Sequence, residues 1–391
     1  MMNTKGKSTK KRLLLPFDFL GLTVLLIFLL GVGACSNKTQ ATNKVEKKPS
    51  PPPKFDTSLV FNNVTLDQAD EAGRRLWTVK AKQATYSTDK KTANVETPKG
   101  DLFQDGVLVL QVSAARGVVQ EDGKTIFLQG QIVATDPRNG AVLKGDELEW
   151  RPKEDLLILR NNLIGTHPKL KATAKEGRYF SRPQRLDLQG QIVAVSNDPP
   201  LKMRTEHLIW EIPQEKVTGD QRIQIDRYKG QTVIGQAVGN QSQVDLKTKI
   251  VTLRQNVQIN SIDPPIEIIG NAVNWNLNTE IVASDEPVRI WHRQEQVTLT
   301  GNKGQVNLKQ QVAVLTGDAK GFANRNQAKL YANQVTWLFP TQQVQAQGNV
   351  NYQQVNPPLN LKGPTALGRL QDQSVVVTGN SGGNVVTEII P

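Results

Sequence analysis

Side chains able to do chemistry are few in this chain, and they are scattered. The three histidines, His167, His207 and His292, have no second ligand at metal-binding spacing, so the sequence points to no metal site. Carboxylate pairs occur at Asp146–Glu147 and Asp285–Glu286. Each abuts a strand or a turn, which suits a solvated face better than the paired acids of a glycosidase. The segment "GAVLKGDE", Gly140–Glu147, has the glycine spacing of a phosphate loop, but Asp146 stands where that loop needs lysine. No catalytic residue and no cofactor follow from these residues. One thiol remains, Cys35, which excludes an internal disulfide. It ends an uncharged run of 16 residues, Phe19–Ala34, and the run closes on Val32, Gly33, Ala34. That pattern resembles the bacterial lipobox, in which the thiol is acylated and the mature chain begins at the cysteine. The alternative is an uncleaved apolar anchor in which Cys35 is incidental. Lys5, Lys7, Lys10, Lys11 and Arg12 precede the run, so both readings put the rest of the chain outside the cytoplasm.

The elements behind those residues are read from composition and period. Ser36–Lys54 is polar, rich in lysine and ends in a proline run, so it reads as a tether without a core. The net charge of +12 is spread along the chain with acids interleaved. A nucleic-acid stripe would be clustered among exposed aromatics, so no nucleic-acid partner is expected. A mild attraction to anionic lipid fits better. Beyond the tether, Val, Leu and Ile alternate with Asn, Gln, Thr and Lys, the period-two pattern of half-buried antiparallel strands.

The strands repeat. "LQGQIVA" occurs at Leu128–Ala134 and again at Leu188–Ala194. Equivalent strand ends fall at Gly130, Asn161, Gly190, Gly219, Gln255, Ser284, Gly317, Gly348 and Gly379, 29–36 residues apart. Trp150, Trp210, Trp275 and Trp337 each follow the preceding marker by 20 residues. Tyr179 follows its marker, Asn161, by 18 residues, and five landmarks in step signal internal repetition. Each unit of about 30 residues reads as roughly three short strands that must stack on their neighbours to bury an apolar face. The Pro–Pro turns and the strict alternation favour a jelly-roll over a parallel β-helix. The fold class expected is therefore all-β, an elongated twisted jelly-roll of two facing antiparallel sheets. The glycine that closes most copies marks a tight bend or a close approach between sheets.

Asn62–Val133 carries a resemblance to a known family. Gly73, Leu76, Trp77, Val79, Ala81, Ala84 and Tyr86 in "G..LWTVKA..A.Y" are followed by "PKGDLF.DG" and "VSAARGVV..DGKTIFLQGQI". This stretch resembles the LptC family of lipopolysaccharide-export proteins, and the later repeats look like the sibling LptA/OstA modules. The division expected is a signal or anchor segment (1–34), a tether (35–54), an LptC-like jelly-roll (55–220) and an LptA/OstA-like extension (221–391). The chain departs from the family in being about twice the usual length and in having the lipobox-like cysteine.

The resemblance implies a non-enzymatic periplasmic bridge component that holds the acyl chains of lipopolysaccharide in an apolar groove. It implies three protein or membrane partners besides the lipid: an inner-membrane ABC transporter of the Lpt type, a second jelly-roll joined by edge-to-edge strand pairing, and a membrane, expected to be the inner one, reached through the N-terminal segment or a lipidated Cys35. The residues it casts as groove are Trp77, Val79, Leu128, Ile132, Leu148, Trp150, Leu188, Ile192, Leu208, Trp210, Val273, Trp275, Leu277, Val335 and Trp337. From periodicity alone the same residues are the core of any sandwich. Two rivals stay open: a structural envelope lipoprotein with a closed dry core, and a β-helical polysaccharide lyase or hydrolase.

Overall fold

In the computed structural model, most of the long strands are bent at mid-length, and the repeated "LQG" positions are among the bends. Residues 59–120, 124–356, 358–371, 374–379 and 386–388 are described. The apolar run, Cys35 and the tether lie outside them. Ile126–Asp136 is typical: Ile126 and Leu128 are buried before the bend, Ile132 and Ala134 after it. At the bend Gly130 and Gln131 both have positive φ, +75° and +50°. Paired left-handed residues recur at Asn161–Asn162, Gly190–Gln191, Gln255–Asn256, Gly317–Asp318 and Gly348–Asn349. Two such residues in succession swing the chain out of one sheet and into the other while the same face stays inward. Glycine takes this conformation freely and β-branched residues do not. The bend positions hold Gly, Asn, Gln and Asp for that reason.

Each bent strand pairs antiparallel with the next, and the ladder slips at the bend. Ile126–Asp136 pairs with Ala141–Arg151 in two registers, with the slip between Gln129 and Ile132. Where the bend is sharper the two halves are separate strands, as in Lys216–Gly219 with Ile223–Lys229 and Ile281–Ser284 with Val288–His292. Two facing sheets that share their strands are a jelly-roll. All strand pairings among the described residues are antiparallel, which rules out the parallel β-helix. The expectation of about three short strands per unit is corrected to two bent ones. Inward alternation survives the bend, so the two halves of one strand read as separate strands in the sequence.

The described residues belong to one compact unit, Asp56–Pro391. One hydrophobic core runs from Trp77 to Ala366. Both the core and the strand ladder pass across position 220: Lys216–Gly219 and Ile223–Lys229 pair with the same neighbour, Pro200–Glu211. Helical structure among the described residues is a single 3-10 turn, Pro152–Glu154, and no helix there is long and apolar enough to cross a membrane. At the two ends of the ladder, among the described residues, Val60–Ala69 pairs only with Arg75–Tyr86, and Ser374–Thr378 and Val386–Glu388 each pair only with Leu359–Arg369.

Candidate functional site

The sheets face each other across an apolar interior that contains every residue of the expected groove, each at most 6% exposed. Leu128, Leu148, Trp150, Leu188, Leu208, Trp210, Val273, Trp275, Val335 and Trp337 lie in one sheet, with Leu277 in the turn that follows Trp275. Trp77, Val79, Ile132 and Ile192 lie in the facing sheet, Ile132 and Ile192 just beyond the bends at Gly130–Gln131 and Gly190–Gln191. Along one side the interior is walled by the bends. Along the other, the interstrand turns form two rows, here called lips. The first lip contains the turns near Asp105, Asn139, His167, Asp198, Asp263 and Glu295. The second contains those near Asp155, Gln184, Glu215, Lys249, Glu280, Gln311 and Gln342.

Three layers close the mouth between the lips. The innermost is the tryptophan row. Trp150, Trp210, Trp275 and Trp337 sit at one level in the second-lip sheet, with three strands between successive members. At an interstrand spacing near 4.8 Å, that places them about 19 Å apart. Three of them reach residues of the first lip: Trp210 packs edge-on against His167 at 5.1 Å, Trp337 meets His292 at 5.1 Å, and the Arg227 guanidinium lies 5.6 Å from the Trp275 ring.

The second layer is a row of buried residues on the second lip, Ile212, Leu246, Leu277, Leu308 and Phe339. Their backbone N–H groups donate to the carbonyls of Gln184, Glu215, Lys249, Glu280 and Gln311, at 2.9–3.2 Å. Each of these acceptor residues has positive φ, so one turn geometry repeats along the lip.

The outer layer is polar. Lys169 pairs with Glu215 at 2.6 Å, Lys249 with Asp198 at 2.6 Å, and Arg182 with Asp105 at 2.9 Å. Arg227 donates to Glu280 at 2.7 Å and to the Leu277 carbonyl at 3.2 Å. Gln311 and Gln342 donate to Asp263 and Glu295, each at 2.8 Å. The more exposed of these ties, such as Lys169–Glu215 and Arg182–Asp105, contribute about 0.2–1 kcal/mol each, and the more buried Arg227–Glu280 tie contributes more.

The titratable groups at the mouth follow from burial. His167 and His292 have their pKa values lowered, chiefly by desolvation. Each accepts a backbone N–H at Nδ1, from Lys169 at 3.2 Å and from Glu295 at 3.3 Å, as a neutral imidazole does. Tyr179 donates to Asp136 at 2.6 Å, and Arg138 braces that carboxylate at 2.6 Å. Burial and the carboxylate push the Tyr179 hydroxyl pKa well up. On the outer surface His207 lies between Asp220 at 2.6 Å and Asp187 at 3.0 Å. Burial works against its charge, but the two carboxylates prevail and its pKa is raised. In contrast to Tyr179, the buried Nε1 atoms of Trp77, Trp150, Trp210, Trp275 and Trp337 have no hydrogen-bond partner among the described residues. Leaving a donor unpaired in the interior costs about 1–3 kcal/mol.

The interior is tightly packed around Val79, Leu102, Leu128, Leu148 and Trp150, where about 10 Å³ is free. It loosens toward the C-terminal end. There a cleft of about 90 Å³ opens between the sheets, lined by Val297, Leu299 and Leu330 on one side and Val344, Ala346 and Ala366 on the other. Beyond Trp337 several inward positions are small, among them Ala346, Ala366 and Gly368, and there the facing sheets do not fill the gap.

Sequence reasoning found the inward rows but missed the lips. His167 and His292 read as isolated residues, and nothing in the sequence singles out Arg227. One signal was available: an apolar residue two positions after each strand-end Trp or Val, at Ile212, Leu246, Leu277, Leu308 and Phe339, of which the expected groove contained only Leu277. Among the described residues no group of three His, Cys, Asp or Glu side chains is placed to hold a metal ion.

A family model described as lipopolysaccharide-assembly, LptC-related, matches residues 23–157, 142–260 and 228–324. The three matches succeed one another along the strand ladder, as a repeated unit requires. No curated protein matches the chain.

Proposed function

The chain belongs to the LptC-related family of lipopolysaccharide-assembly proteins, and on that footing we propose that it is a non-enzymatic component of the periplasmic bridge, carrying lipopolysaccharide with its acyl chains between the two sheets. Membership of this family implies a part in lipopolysaccharide transport in the cell envelope, and the family is one of transport rather than catalysis. The observation that carries the finer reading is the continuous apolar interior behind a mouth closed by shallow polar ties. An acyl chain in water is penalised by about 0.8 kcal/mol per methylene, so a twelve-carbon chain costs roughly 10 kcal/mol to expose. A carrier needs an apolar path that is nearly uniform along its length, which a repeated inward row provides. It also needs a mouth that yields locally to the head group. Separating one or two lip ties costs a small fraction of the chain's transfer free energy.

In this reading the acyl chains displace the sheets' contact with each other, and sugars and phosphates stay outside the lips. Direction and energy come from an inner-membrane ABC transporter of the Lpt type. The free edges of Val60–Ala69 and Ser374–Thr378 are the joints to further jelly-rolls by strand addition. The N-terminal segment, or an acylated Cys35, holds the chain at the inner membrane. The LptC-like part, 55–220, takes lipid first and the extension, 221–391, lengthens the path.

A second reading, a structural envelope protein with a permanently dry core, is favoured by the tight packing around Trp150. Photo-crosslinking residues at Leu128, Leu148, Trp210 and Trp275 separate the two in live cells. Crosslinks to lipopolysaccharide support transport. None at any of the four positions, with the protein expressed and folded, leaves the structural reading standing.

A further inference from the structure

The tryptophan row is more than packing. A single register row of the second-lip sheet runs Trp150, Leu157, Tyr179, Leu186, Trp210, Val217, Val244, Val251, Trp275, each residue directly opposite the next. It continues through Val282, Val306 and Ala313 to Trp337. Within this row the polar atoms are the four indole N–H groups and one phenol. The phenol, Tyr179, is supplied with an acceptor from the opposite lip: Asp136, itself 1% exposed and held by Arg138. The fold can therefore place an acceptor at this level. Opposite Trp210, Trp275 and Trp337 the same lip presents His167, Arg227 and His292, a ring or a guanidinium where Asp136 would stand. All four Nε1 atoms remain buried without an acceptor among the described residues. Aliphatic residues of similar bulk would fill the space without stranding a donor.

The place of the row explains what would satisfy it. It lies one layer inside the lips, where the apolar interior meets the polar mouth. An acyl lipid has its own boundary between chain and head group, and the groups at that boundary are carbonyl acceptors. Tryptophan lies at the equivalent depth of a bilayer, with its ring in the apolar region and its N–H toward polar atoms.

We propose that Trp150, Trp210, Trp275 and Trp337 are a row of hydrogen-bond donors for the ester and amide carbonyls of an acyl lipid held between the sheets, taking the lipid in steps of four strands along the mouth. His167, Arg227 and His292 cover three of these donors when the mouth is closed and give way when a carbonyl arrives. The assignment rests on the proposed transport function and names the chemical group of the cargo that the chain recognises.

The test uses the full chain, labelled with ¹⁵N at tryptophan, in an alkyl maltoside detergent that has no carbonyl. It is loaded with dilauroyl phosphatidylcholine or with the ether-linked dialkyl analogue, which has the same chains without carbonyls. Six indole signals are available, assigned by single Trp→Phe substitutions, and that of Trp291, on the outer face at 37% exposed, serves as the control. The ester lipid is expected to move the four row signals downfield and the ether lipid to leave them in place. Loading should favour the ester by about tenfold, the equilibrium worth of one well-made hydrogen bond. That preference should fall in W210F/W275F/W337F, which keeps Trp150 as the one remaining donor of the row. If both lipids load equally and the row signals stay unmoved, the donor assignment is overturned and the transport function stands. If neither lipid enters the wild-type chain, both fall. The wild-type spectra alone decide between these outcomes should the triple variant fail to fold.

Discussion

Replacing Arg227 by glutamine should open the mouth at one rung. The guanidinium donates to Glu280 at 2.7 Å and to the Leu277 carbonyl at 3.2 Å, and it lies 5.6 Å from the Trp275 ring. Hydrogen bonds from a charged donor contribute about 1.5–3 kcal/mol and a cation over an indole about 0.5–1 kcal/mol. These do not add, because one group makes all three contacts and Glu280 stays partly solvated. A net loss of about 2 kcal/mol is expected, which raises the local opening equilibrium about 30-fold. The Lys169–Glu215 tie is an exposed pair, worth about 0.2–1 kcal/mol. Lys169→Gln should therefore raise opening by about fivefold at most.

Amide hydrogen exchange in the regime where protection reports local free energy reads both changes. The amides of Leu246 and Leu277, which donate to the Glu215 and Lys249 carbonyls, are the reporters, and the amides around the Gln255 bend are the control. Arg227→Gln should speed Leu277 far more than the bend. Equal acceleration by the two variants, or acceleration of the bend as large as that of the lip, would refute a mouth that opens independently of the fold.

Further outcomes follow from the same geometry. Gly190→Val puts a β-branched residue at φ +79° with the Lys175 side chain 3.0 Å from the new Cβ, and should cost about 2 kcal/mol in urea unfolding. Gly190→Asn should cost under about 1 kcal/mol, because Asn161 holds the equivalent bend at φ +61°; equal losses would disprove the role given to the bend. His292 has its pKa lowered by burial, so the unfolded chain takes up the proton first and stability should fall as pH drops below the ordinary 6.5. His292→Gln should flatten that slope in denaturation midpoints measured on both sides of it. His207 behaves oppositely. Burial opposes its charge but Asp220 and Asp187 raise its pKa, so its contribution is full below pH 6.5 and is lost as pH rises through the raised value; a His207→Gln chain that keeps this slope would contradict the pairing. For the membrane form, intact-mass analysis should find an acylated chain beginning at Cys35, abolished by Cys35→Ser. A full-length mass would assign anchoring to the apolar run instead.

Strand content, the phase of the repeat and the inward rows were all readable without coordinates, because each depends on neighbours within a few residues. Side chains alternate at every second position of a strand, so Leu148 with Trp150 and Leu208 with Trp210 declare their shared face directly. The bends were half visible: "LQGQ" marks a place that tolerates left-handed backbone, but nothing local says that the strand continues beyond it into a second sheet. Two short strands and one bent strand have the same alternation, which is why the unit read as three strands. The lips were hidden for a different reason. Tyr179 and Asp136 are 43 residues apart, Arg227 and Glu280 are 53, and Lys169 and Glu215 are 46. Those separations come from stacking bent strands across the mouth, and they shift with every turn length along the way. The row of stranded indole donors needed both kinds of information. The spacing of the tryptophans is written in the chain, but the missing acceptor becomes apparent only when the opposite lip is brought against it.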